Sequence, residues 1–180
     1  SVDGDTSTND SVVILANGFS GVKVNSGFKI ESFKKALDFV CIELAKKIAR
    51  DGEGATKLIE CECIGALTQE DADLASKSVI SSSLVKSAIF GEDPNWGRIV
   101  AAVGYSGAEM DLSKVDVKLG DLIIVKDGKG TGIPKDESRK ELQNDFVKIL
   151  INLNLGDYSS KSWGCDLSYD YVEINAEYHT

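Results

Sequence analysis

A glutamate flanked by two glycines, Asp51-Gly52-Glu53-Gly54, offers the clearest local chemistry in the chain. Glycine on either side permits positive φ, so the backbone can aim the Glu53 carboxylate in directions an ordinary turn forbids. The natural partner of such a carboxylate is an ammonium group, and the competing reading is a solvated turn. In FGEDPNWGRI, Asp93 before Pro94 is driven out of the helical region, and Pro94 suits a first helical position. A helix is expected to start there, with Trp96 as a packing anchor. Arg98 at its electropositive end has a planar fork that matches a carboxylate or an amino-acid-like ligand.

Other candidates fail on spacing. Asp3-x-Asp5-x-Ser7 begins like a calcium loop, but the sixth and twelfth positions are Thr8 and Ile14 instead of glycine and glutamate. Cys61-x-Cys63 has no second pair at zinc spacing, so no metal is expected. The one histidine, His179, lies one residue from the C-terminus and makes a poor base for a nucleophile dyad. The sequence therefore contains no complete nucleophile-base set, and an enzyme built on it needs a nucleophile from elsewhere.

These groups sit among alternating helices and strands. Apolar residues at helical spacing from Ile30 to Ile48, with Gly52 in C-cap position, predict a long amphipathic helix. Residues 6–18, with N-cap candidates before an apolar run, suggest a short helix, with a strand as the competing reading. TKLIECECIGAL reads as a strand with Ile59, Cys61 and Cys63 toward the core. Thr68 caps a helical segment that runs to Phe90. Residues 115–130 read as short paired strands turned at Asp127-Gly128, PKDESRKELQNDF as a helix, and VKILINLNLG and the terminal YVEINAEYHT as strands. The glycines of residues 51–57 mark a hinge. The pattern is mixed α/β.

With 180 residues, 42% of them hydrophobic, the chain can bury a sizeable core. A net charge of −9 argues against nucleic acid and anionic lipid as partners. No apolar run reaches membrane-spanning length and no secretion signal opens the chain, so a cytoplasmic location is expected, and the four cysteines are read as reduced thiols. The abrupt opening without methionine reads as the interior of something longer.

Taken in order, SVDGDTSTND, DGEGATK, SSSLVKSAIFGEDPNWGRI and the closing YVEINAEYHT resemble the ornithine acetyltransferase family, also called glutamate N-acetyltransferase, of arginine biosynthesis. The resemblance runs from the first residue to the last. It implies the family's two-lobed mixed α/β fold, with residues 1–55 in an active-site lobe, 56–170 as the C-terminal lobe, and 171–180 as a terminal strand and tail returning to the site. It also implies a cytoplasmic enzyme that moves acetyl from N-acetylornithine to glutamate by ping-pong chemistry through an acetyl-threonine. In that family the precursor cuts itself into alpha and beta chains, which assemble as an α2β2 heterotetramer. No cofactor is implied, and use of acetyl-CoA as a second donor stays open.

The family's nucleophilic threonine would precede SVDGDTSTND, so no catalytic residue is assigned here, and the sequence reads as the C-terminal part of the beta chain, inactive by itself. The substrate-binding positions that map onto matching motifs are Glu53, Asn175 and Thr180; Arg98 receives no role from the resemblance. Rival readings are a self-processing aminopeptidase with an N-terminal nucleophile and a non-catalytic amino-acid-binding module.

Overall fold

The protein is described by a computed structural model that covers residues 1–7, 10–25 and 27–178. Its centre is a six-stranded sheet of order β4-β3-β2-β5-β1-β6. The strands are β1 (Leu58–Ala66), β2 (Asp116–Leu119), β3 (Leu122–Lys126), β4 (Lys129–Gly130), β5 (Phe146–Asn152) and β6 (Tyr158–Cys165). Among the described residues only β1 and β5 pair in parallel, and the other pairs are antiparallel. This is the mixed α/β architecture the pattern predicts.

The two faces of β1 have different fates. Ile59, Cys61 and Cys63 are fully buried, as expected for the cysteine face, and pack with Ala72, Ala75 and Val79 of α2 (Gln69–Ser81). On the opposite face Glu60 accepts from the Trp163 indole at 2.7 Å and Glu62 pairs with Lys161 at 3.2 Å. Here α1 (Gly27–Arg50) crosses the sheet, its Lys46 ammonium 5.5 Å from the Trp163 ring centre. The long helix is where periodicity puts it, yet Ala49 is its one buried residue and Phe33, Val40, Leu44 and Ile48 are exposed. No helix among the described residues is long and apolar enough to cross a membrane.

Several expectations are corrected. The helical run from Thr68 breaks at Ser82, which is extended (φ −71°, ψ 113°) and ends α2 while its hydroxyl accepts from Val85 N to start α3 (Ser83–Phe90). The next helix, α4 (Trp96–Gly104), starts two residues later than expected, because the Asn95 side chain, not Pro94, caps it by accepting from Arg98 N. Of the short helix suggested at 6–18, residues 10–17 form no regular element, and Thr8 and Asn9 lie outside the described residues. Strand β6 escapes the pattern because YSSKSWGC has no apolar alternation. Its buried Ser162 is satisfied by the Ser76 hydroxyl at 2.9 Å, and Gly164 lies close to Ile80, where a Cβ would come to a tight 3.2 Å.

The terminal segment is a helix, α6 (Tyr169–Glu177), where a strand was expected. Ser168 accepts from Tyr171 N, Asp170 sits in the first turn, and Asn175 returns its amide to Tyr171 O at 2.9 Å. The Ser168 cap and the Asn175 bond within the helix outweigh the β-branched alternation of Val172 and Ile174.

Trp96 is 39% exposed and lies against Gly130, where a Cβ would come 2.9 Å from the ring. The anchor is thus only partly buried. Trp96→Ala is expected to cost about 1–2 kcal/mol, below the ~3–5 kcal/mol of a fully buried ring, as read by urea unfolding.

Candidate functional site

The turn carrying Glu53 is pinned from both sides. Helix α1 ends with Asp51 N donating to Lys47 O at 2.9 Å, and Ala55 N donates back to Gly52 O at 2.9 Å. Just beyond, the 2% exposed Asp166 carboxylate accepts from Thr56 N and Lys57 N, both at 2.8 Å, and from the Thr56 hydroxyl at 2.5 Å. This bond set ties the expected hinge to the end of β6.

The two glycines work differently. Gly54 takes φ +64° and touches the start of α6, where a Cβ would sit 2.6 Å from Tyr171 N. The Ser168 hydroxyl donates to Gly54 O at 2.6 Å and accepts from Tyr171 N at 3.3 Å, so the cap of α6 also holds the turn. Gly52 has no positive φ; it is needed for closeness, since a Cβ there would be 2.9 Å from both Cys165 Sγ and Val2. Gly54→Ala adds left-handed strain to a backbone clash. It should cost about 2–4 kcal/mol and shift the thermal midpoint accordingly in calorimetry.

This construction brings Glu53 and Asn175 together across 122 residues of sequence: the Asn175 amide donates to Glu53 Oε2 at 2.8 Å. One turn back on α6, the Tyr171 hydroxyl donates to Asp3 Oδ2 at 2.9 Å. Glu53, Asn175 and Asp3 border an open hollow of about 660 Å³ lined also by Asp5, Asp10 and Asp51, and no Lys or Arg among the described residues lines it. Five carboxylates and no lysine or arginine side chain make a surface that attracts ammonium groups.

Thr180 and His179 lie outside the described residues. Arg98 is not at the hollow: its Nη1 donates to Leu84 O at 2.9 Å and links α4 to α3 instead of meeting a carboxylate. A separate cleft of about 420 Å³ lies between Trp96, Asp93 and Lys135 and shares no lining residue with the hollow. Sequence reasoning missed Tyr171 and Asp3 as a pair. The loop spacing around Asp3 was visible, but its partner became readable only once 169–177 is a helix.

The Asp3–Tyr171 contact shifts both groups. A hydrogen bond from Asp5 N, then the Tyr171 hydroxyl, hold the Asp3 carboxyl below its usual value. The Tyr171 phenol is pushed up to about 12, first by its bond to Asp3 and then by partial burial and neighbouring acids. A raised phenol stabilises the folded form fully below the unfolded value of about 10 and loses that contribution as pH rises towards 12. Ultraviolet titration should therefore show a late tyrosinate step that Tyr171→Phe abolishes.

Comparison with known proteins gives this geometry a setting. The sequence model of the ArgJ family matches residues 1–180. The chain belongs to the ArgJ family. It is 52% identical over 188 residues to the arginine biosynthesis bifunctional protein ArgJ 1 of Clostridium acetobutylicum. It is 53% identical over 192 residues to the glutamate N-acetyltransferase of Methanocaldococcus jannaschii. Each alignment takes in 100% of this chain and 46% of the relative, so the chain spans about half the length of these two relatives. The crystal structure of ArgJ from Bacillus halodurans superposes with a TM-score of 0.94 at 48% identity, covering 99% of this chain and 85% of that one. The ArgJ fold expected from the sequence is thereby shown.

Proposed function

We propose that this chain forms part of a cytoplasmic glutamate N-acetyltransferase that moves acetyl from N-acetylornithine to glutamate, and that Glu53 and Asn175 hold its substrates. The observation that carries the reading is the 2.8 Å contact between those two residues beside an acidic hollow. N-acetylornithine bears a free side-chain ammonium and glutamate a free α-ammonium, the groups that such a lining attracts. Thr180 is assigned the same role through its hydroxyl.

In the proposed reaction a threonine hydroxyl from outside these 180 residues attacks the acetyl carbonyl. The C–N bond breaks, the proton passes to the departing amine, and ornithine leaves an acetyl-threonine ester. The glutamate amine then attacks the ester, takes the acetyl group and returns the proton to the threonine. No cofactor takes part. Partition into alpha and beta chains is supported by lengths: this chain covers 85% of the solved relative's chain but 46% of the curated ones. The exposed apolar stripe of α1 is the surface on which the alpha chain packs, within an α2β2 assembly.

The test is the full-length protein with N-acetylornithine and glutamate. Stoichiometric N-acetylglutamate and ornithine are expected. Acetate and ornithine without transfer would indicate a hydrolase, binding without turnover an amino-acid-binding module, and a parallel reaction with acetyl-CoA reads out a second donor.

A further inference from the structure

Among the described residues Lys86 is the one buried cation, 2% exposed on α3. Its ammonium donates to Val2 O and lies 3.6 Å from Cys165 Sγ, which is itself buried and 3.8 Å from the same carbonyl. No Asp or Glu among the described residues pairs with it. A buried ammonium without a carboxylate in direct contact is disfavoured by desolvation, Asp3 interacting with it only through space, and with one good acceptor and one weak one its three N–H groups are not all satisfied.

The position explains what the cation does. Val2 and Gly52 line the hollow, and Gly52 packs on Cys165 and Val2 closely enough to exclude a Cβ. Lys86, Cys165, Val2 and Gly52 are therefore one packed unit directly beneath the lining. The residue after the clamped carbonyl is Asp3, which receives the Tyr171 hydroxyl and the Asp5 amide.

We propose that Lys86 is a positioning residue for the acidic hollow: its ammonium grips the Val2 carbonyl from below and fixes the Val2–Asp5 segment opposite Glu53 and Asn175. Part of the proposal rests on the reading of the hollow as the substrate site. The clamp itself does not, and the two are separable by experiment.

The experiment uses the full-length protein and Lys86→Met, which keeps the length of the side chain and removes its charge and donors. KM for glutamate should rise about 10- to 100-fold through lost alignment. The kcat should stay within about threefold, since the clamp touches no reacting atom. Hydrogen exchange across residues 1–7 should quicken by at least about tenfold as the segment opens locally. A lysine that merely fills space would lower the thermal midpoint and leave KM and the exchange of residues 1–7 unchanged, and that result overturns the proposal. Exchange needs no turnover, so a wild-type protein without acetyl transfer would sink the function while the clamp is still measured.

Should Lys86→Met not fold, nitrogen-15 lysine spectra of the unsubstituted protein take its place. The Lys86 ammonium is expected to correlate with the Val2 carbonyl through their hydrogen bond and to exchange with water about tenfold slower than surface lysines. A Lys86 signal exchanging like the surface lysines, with no such correlation, contradicts the clamp.

Discussion

Replacing Glu53 by glutamine in the full-length protein should lower kcat/KM for acetyl transfer by about 100-fold, equivalent to about 2.7 kcal/mol. Glutamine keeps the size of the side chain and an oxygen that can accept from Asn175, so the change isolates the charge proposed to meet a substrate ammonium. Glu53 is exposed and sits on a turn held by Gly54 and Asp166, not by its own carboxylate. Stability should accordingly move by less than about 0.5 kcal/mol. Steady-state kinetics beside a denaturation curve separates the two effects. A variant with unaltered kcat/KM would remove Glu53 from the site.

The largest stability effect is expected at Asp166. Its buried carboxylate is the acceptor for Thr56 N, Lys57 N and the Thr56 hydroxyl, and alanine leaves all three without it. Losing a buried, charge-assisted bond set of this kind costs about 3–5 kcal/mol. Asp166→Asn keeps one acceptor oxygen and should recover part of the loss. Because these bonds fix the chain immediately after the Glu53 turn, the alanine variant should also lose activity in whatever fraction stays folded. Urea unfolding followed by circular dichroism checks the first claim. A cost below about 1 kcal/mol would mean that solvent replaces the carboxylate, contrary to its burial.

How much of this was legible in the sequence depended on whether a signal was local. The cysteine face of β1 and the helical stripe from Ile30 to Ile48 follow from periodicity, and Thr68 follows from a hydroxyl placed before acidic residues. Strand β6 was not legible, because its buried face is made of serine and glycine whose fitness depends on Ser76 and Ile80 across the core. The terminal helix was misread for a related reason. Val172 and Ile174 favour a strand on composition, while the bond that Ser168 accepts from Tyr171 N and the one that Asn175 donates to Tyr171 O decide for a helix.

The candidate site divides along the same line. Glu53 stood out through its glycines, although only Gly54 takes positive φ and Gly52 is there for contact with Cys165 and Val2. Asn175 was reached through family resemblance and not through any pattern of its own. Nothing in the sequence tied Asp3 to Tyr171 or Lys86 to Val2, since those contacts bridge 168 and 84 residues. Arg98 shows the opposite error: its chemistry suited a carboxylate, and the fold spends it on the Leu84 carbonyl.

The convergence of the Glu53 turn and α6 on one ligand is tested most directly by a double-mutant cycle on kcat/KM in the full-length protein. Glu53→Ala, Asn175→Ala and the double variant should show a coupling of about 1–2 kcal/mol, as residues that touch each other and share a substrate do. Losses that add to within about 0.3 kcal/mol would mean the two side chains act independently, and would contradict a single site built from both.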